Sequence, residues 1–141
     1  MRISARCEYA CKALLELSLH WPNNVPLSIN TISHKQKIPS RYLVQILMQL
    51  KRIQLITSIR GKEGGYLLNI IPEEIRLGYV IREIQGPFIQ LSNKKSREND
   101  NAFFPIWKEI EQAIGNVLDT ITFQDICNKI KDLKKAIIYQ I

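Results

Sequence analysis

The sequence predicts a mainly α-helical fold with one small β-wing: a winged helix-turn-helix followed by a long C-terminal helix suited to dimerisation. Three observations predict it. Two short helical segments, one opening at Ser28 and one running from Ser40 to Arg52, are joined by a tight polar turn, and the second carries long polar donors on its outer face. Immediately afterwards, Leu55-Ile56-Thr57-Ser58-Ile59 is β-branched, Gly61-Lys62-Glu63-Gly64-Gly65 is a turn, and Tyr66-Leu67-Leu68 is a second strand. Farther along, Trp107, Ile110, Ile114, Val117 and Ile121 recur at alternating three- and four-residue spacings, the seam of a helix that packs on another helix.

Each element has a local reason. The first helix spans about Ile3 to His20, because Ile3, Cys7, Ala10, Leu14 and Leu17 form one apolar stripe and Pro22 stops it. Ser28 is the N-cap of the second helix, with Ile29 and Ile32 facing inward. Ile38-Pro39-Ser40 opens the third, whose inner face is Leu43, Ile46, Leu47, Leu50 and Ile53 and whose outer face carries Arg41, Gln45, Gln49 and Arg52. The hairpin is the wing, with Arg60 and Lys62 at its tip. Pro72-Glu73-Glu74 is expected to start the next helix, buried along Leu77, Val80, Ile81 and Ile84 and ended by Gly86-Pro87. Residues 92–101 contain no apolar side chain and read as a loop. The long helix runs from about Phe104 to Leu118, where Gly115 suggests close approach of a neighbouring backbone. Thr122 and Asp125 form a capping box for a last helix carrying Phe123, Ile126, Ile130 and Leu133.

Composition narrows the function. The net charge of +7 sits wholly in residues 1–70, which hold 10 Lys+Arg against 3 Asp+Glu, whereas residues 71–141 hold 10 of each. A one-sided basic excess suits a polyanion such as double-stranded DNA. Cys7, Cys11 and Cys127 lack C-x-x-C spacing and imply a reducing compartment rather than a disulfide framework. The N-terminus lacks the apolar core of a signal peptide and no stretch approaches ~18 apolar residues, so a cytoplasmic location and no membrane partner are expected. The glycine-rich turn lacks the order of a phosphate-binding loop, and His20 and His34 stand apart from any catalytic partner, so no enzyme is expected. Cys7 and Cys11, one helical turn apart, read as small buried hydrophobes; the alternative is a redox- or metal-responsive pair. A winged helix can also serve as a protein-interaction module, which the basic first half argues against.

Several runs of residues resemble the Rrf2 family of transcription regulators. Met1-Arg2-Ile3-Ser4, Tyr9-Ala10 and Ala13-Leu14-Leu15-Glu16-Leu17 are similar to its opening helix, and Tyr42-Leu43 with Gln45-Ile46-Leu47 to its recognition helix. The wing and the helix after it carry the most specific combination: Arg60-Gly61, Gly64-Gly65-Tyr66-Leu67-Leu68, Pro72, Ile75, Leu77-Gly78, Val80-Ile81-Arg82 and Gly86-Pro87. Trp107 and Thr120-Ile121-Thr122-Phe123-Gln124-Asp125-Ile126 are similar to its dimerisation segment, so the resemblance covers about residues 1–130. It implies a homodimeric regulator, usually a repressor, on a roughly palindromic operator; a regulatory protein or small effector is a further candidate partner that the sequence does not identify. Many members hold an iron–sulfur cluster on three cysteines before the tryptophan. Here residues 88–106 contain no Cys and no His, with Asn101 and Phe104 about where the last Cys and a nearby His occur, so no cofactor and no metal are expected. Glu8 lies in the region where some members supply an acidic ligand from the partner subunit. Val44 and Pro39 also depart from the family's usual acidic residue and serine.

The expected organisation is a winged helix over 1–87, a loop over 88–102 and dimerisation helices over 103–141. The third helix is expected in the major groove, with Arg41, Tyr42, Gln45 and Gln49 as polar contacts, Gln45 on an adenine edge and Val44 on a thymine methyl. Arg60 is expected in the adjacent minor groove, with Lys62, Arg2 and Ser4 on phosphates and Ser28, Ser40 and Ser58 as further contacts. The expected dimer interface comprises Trp107, Ile110, Ile114, Gly115, Val117, Leu118 and Ile121.

Overall fold

The computed structural model describes residues 2–90 and 102–140, which form six α-helices and one two-stranded antiparallel sheet. In order these are α1 (Ala5–Leu19), α2 (Ile29–Gln36), α3 (Ser40–Arg52), β1 (Ile56–Ile59), β2 (Gly65–Leu68), α4 (Leu77–Gln85), α5 (Phe104–Thr120) and α6 (Phe123–Tyr139). The polar run at 92–101 lies outside the described residues, as do Met1 and Ile141.

Helix α1 is the hub, packed against α2, α3, α4 and α6. Its inner face, Cys7, Ala10, Ala13, Leu14 and Leu17, meets Leu43, Ile46, Leu47 and Leu50 of α3, with Ile32, Ile38, Val80 and Phe123 completing the core. The caps are local. Ser4 Oγ accepts from the Cys7 N–H at 3.1 Å, and Ser28 Oγ from that of Thr31 at 3.1 Å. Between α2 and α3 the chain turns through Lys37 in the left-handed region, at φ 54°, and Ser33 Oγ donates to the Ile38 carbonyl at 2.5 Å. The N-cap of α3 is Pro39, which offers no side-chain bond; its carbonyl accepts from Tyr42 and Leu43 at 3.1 Å.

The hairpin pairs Ile56 with Leu68 and Ile59 with Gly65. Leu27 adds a short bridge, exchanging backbone bonds with Tyr66 at 2.8 and 3.0 Å. That bridge explains Gly65, because a Cβ there would run into the Leu27 carbonyl.

Three expectations change. Pro72–Glu74 is a 3-10 turn, and α4 starts only at Leu77. The backbone at Ile75 and Arg76 is extended because it pairs with the α5–α6 connection: Leu77 N–H donates to the Ile121 carbonyl at 2.9 Å and Phe123 N–H to that of Ile75 at 3.0 Å. Ile121 is therefore the extended C-cap of α5 rather than a helical seam position. Gly115 faces the Arg82 guanidinium rather than a backbone; the close approach falls instead at Gly78, where a Cβ would meet the Asp119 carboxylate. Thr122 and Asp125 form the expected capping box, with bonds of 3.1 and 3.0 Å.

Candidate nucleic-acid interface

The amphipathicity of α3 decides what it presents outward. Leu43, Ile46, Leu47 and Leu50 are buried, which leaves Arg41, Tyr42, Val44, Gln45 and Met48 on the exposed face. Ser40, also exposed, opens the helix within 3.2 Å of the Ser33 hydroxyl. Met48, 59% exposed, is a member of this face that residue type alone did not single out. Gln49 behaves differently. It is half-buried, its Nε2 donates to the Glu83 carbonyl at 3.4 Å, and its Oε1 has no partner among the described residues. Its amide therefore ties α3 to α4, while Gln45 remains in solvent.

The wing stands beside α2. Ser28, Asn30, Ser58, Arg60 and Gly61 line one open cleft of about 600 Å3 between the start of α2 and the hairpin. The Ser28 hydroxyl is engaged in its cap and with Thr31, and the Ser58 hydroxyl accepts from Lys51 Nζ at 2.7 Å, which links α3 to β1. Arg60 and Lys62 are exposed at the wing tip. The tight turn between the strands is closed by a Gly64 N–H to Gly61 carbonyl bond of 3.1 Å, and Gly61 has a φ of 120°, which favours glycine. At the other end, Gln85 clamps the N-terminal segment to α4: its Oε1 accepts from the Ser4 N–H and its Nε2 donates to the Arg2 carbonyl, both at 2.9 Å. This leaves the Arg2 side chain exposed, whereas the Ser4 hydroxyl is used in capping α1.

Among the described residues, Arg2, Arg6, Arg41, Lys51, Arg52, Arg60 and Lys62 take part in no ion pair; the pairs present are Lys12–Glu8, His20–Glu16, Lys35–Glu16 and Arg82–Asp119. Glu16 is the acid that sequence reasoning missed. It is buried, accepts from Gln36 Nε2 at 2.6 Å and lies 3.3 Å from His20, so it pins the end of α2 to α1. Its place on the inner side of the α1 stripe was the available signal. The unpaired cations can neutralise phosphates, and an exposed helix face of polar and apolar tips can read base edges.

The cysteines belong to the interior. Cys7 and Cys127 are buried and Cys11 is half-buried. The Cys7 and Cys11 thiols share a hydrogen bond, which holds Cys7 below the ordinary thiol range and pushes Cys11 above it, with burial adding to the rise. Burial pushes the Cys127 thiol up. Among the described residues no three His, Cys, Asp or Glu side chains gather where they could share a metal ion. An iron–sulfur cluster needs several converging thiolates. With neither Cys nor His in residues 88–106, and Glu8 turned to Lys12 at 3.8 Å, the residues present do not fit one.

Of the expected interface on α5, Trp107 (41%) and Val117 (61%) are exposed, as is Ile106. Ile110 and Ile114 are half-buried, and Gly115 and Leu118 lean toward α4 with Ile114 along one cleft. No residue of α5 is buried.

A winged helix with an unpaired basic face of this kind defines the chain as a helix-turn-helix DNA-binding transcription regulator, and comparison with known proteins agrees. The profile of the Rrf2 family, described as iron-dependent transcriptional regulators, matches residues 3–129, and the chain belongs to that family. It is 29% identical to the HTH-type transcriptional regulator CymR of Bacillus subtilis over the whole of both chains. It is 30% identical to the HTH-type transcriptional regulator IscR of Pectobacterium atrosepticum, over 96% of this chain and 85% of that one. Among solved structures, CymR, the global cysteine regulator of B. subtilis, superposes with a TM-score of 0.76 at 27% identity, covering 92% of this chain and 98% of that one. IscR of T. potens gives 0.73 at 28%, covering 96% and 90%. Family and relatives are transcription regulators, not enzymes. No described helix is long and apolar enough to cross a membrane.

Proposed function

We propose that the protein is a homodimeric repressor that acts in the cytoplasm on a roughly palindromic operator, one half-site per protomer. Residues 1–87 are the DNA-binding unit, 88–102 connect it, and 103–141 hold the dimer together. Gln45 and Val44 read bases in the major groove, Arg60 enters the minor groove, and Lys62 and Arg2 hold phosphates. One observation carries the reading: among the described residues, the exposed face of α3 and the wing beside it hold cations without acidic partners, while Trp107 and Val117 of α5 stand exposed and no residue of that helix is buried. A two-fold axis through α5 covers the second and duplicates the first, which is why a dimeric reader has a two-fold operator. Repression follows from the family resemblance carried by the wing and α4.

The test is genome-wide mapping of bound DNA together with sedimentation of the intact protein. The expected result is an inverted-repeat motif and a dimer at micromolar concentration, with transcription of the adjacent genes rising when the protein is deleted. An asymmetric motif bound by a monomer would overturn the reading. Replacing both Gln45 and Arg60 by Ala should abolish the preference for that motif, and unaltered operator affinity would show that these residues do not read it.

A further inference from the structure

A groove of about 400 Å3 separates α1 from the recognition helix, with Ala5, Arg6 and Tyr9 on one wall and Tyr42, Gln45 and Ile46 on the other. An aromatic stack joins the two walls. The Tyr9 and Tyr42 rings lie 6.1 Å apart at 25°, and the Arg41 guanidinium sits 4.7 Å from the Tyr42 centroid while donating to the Tyr42 hydroxyl at 3.1 Å. Arg41 is thereby held by its own helix. Tyr42 and Gln45 also belong to the outward face of α3, so a duplex seated on that face covers the groove.

Arg6 is the charged residue in this lining. It is exposed and, among the described residues, has no ion pair; the nearby acid Glu8 is turned to Lys12. Covering an unpaired guanidinium is costly unless an anion meets it. The anion a duplex offers is its phosphodiester, which the guanidinium fork matches.

We propose that Arg6, on α1 and outside the helix-turn-helix, is a DNA-backbone contact, with a phosphodiester oxygen of the bound duplex pairing with its guanidinium over the Tyr9–Tyr42 stack. The proposal rests on the reading of α3 as the DNA-reading helix. A contact of this kind carries no base information, so it strengthens every sequence alike, in contrast to Gln45.

The test uses the intact protein and two labelled duplexes of equal length, one selected from a random pool by the wild-type protein and one scrambled. Binding is followed by fluorescence anisotropy across a salt series. Arg6→Gln should weaken both duplexes by the same factor and flatten the slope of log affinity against log salt by about 1 per Arg6 removed. Arg6→Lys should keep the wild-type slope, because the charge remains. The thermal midpoint of Arg6→Gln should match wild type, as expected for an exposed side chain. An unchanged slope in Arg6→Gln, or a loss confined to the selected duplex, would overturn the proposal. The scrambled duplex reports on Arg6 even where selection enriches nothing, so failure of Arg6 and failure of α3 as a sequence reader are separable.

Discussion

The body formed by α1 to α4 and the pair formed by α5 and α6 handle their apolar residues in opposite ways. In the body, Leu14, Ile32, Leu43, Leu47, Leu50 and Val80 are sealed in one core, and the outward face of α3 and the wing carry Arg41, Arg60 and Lys62 with no ion pair among the described residues. In the C-terminal pair, burial stops at Phe123 and Cys127 near the start of α6. Trp107 and Val117 on α5, and Leu133 (63% exposed), Ile137 and Ile138 on α6, stand in solvent. The first region is sealed, with Phe123 of α6 closing its core. The second presents a face whose periodicity is that of a helix–helix seam and which the described residues leave in solvent. A sealed core in one region and an open apolar face in the other is the arrangement that the proposed dimeric regulator requires.

That contrast can be broken from either side. The largest effect is expected in the association half. Replacing Ile114 by Asp would put an uncompensated charge in the proposed dimer seam, and sedimentation should show monomers or unfolded chains. A folded variant that stays dimeric would move the interface off α5. In the body, Leu47→Ala removes a fully buried side chain and should cost about 2–5 kcal/mol in denaturant unfolding. A loss well under that range would mean that the α1–α3 core is looser than its burial indicates.

A smaller effect sharpens the comparison where the halves join. Thr122 caps α6 and its neighbours carry the backbone bonds to Ile75 and Leu77. Thr122→Ala should cost about 1 kcal/mol. The partner in that cap, Asp125, is held below the ordinary carboxylate range by the Thr122 backbone N–H and then by the Thr122 side chain. Asp119 is held low by its hydrogen bond to Arg82. For a carboxylate depressed on folding, the stabilisation is present above the unfolded value of about 3.9 and is lost as pH falls through the folded one. Acid titration of stability should therefore show a loss below about pH 4 that shrinks in Asp125→Asn. An acid limb of unchanged steepness would show that this cap is not what fails.

What could be read from the chain alone were the features set by neighbours a few residues apart. The Ser28 and Thr122 caps, the stripes of α1 and α3, and the hairpin between Ile59 and Gly65 all follow from bonds or steric limits within one turn or one strand pair. The basic first half and the family resemblance were legible for the same reason, since both are properties of residue order. Tertiary structure decided whatever depended on a partner far along the chain. Gln49 has the composition of a base reader, yet the Glu83 carbonyl, 34 residues on, holds its amide against α4. The helix expected from Pro72 gives way at Ile75 because the segment after α5 supplies its backbone bonds. Gln85 holds a segment more than 80 residues before it, and Arg6 reaches the recognition face only because α1 and α3 pack side by side. Periodicity says which face of a helix is buried; it cannot say which distant group a polar side chain on the margin of that face will find, because that is settled only when the helices meet.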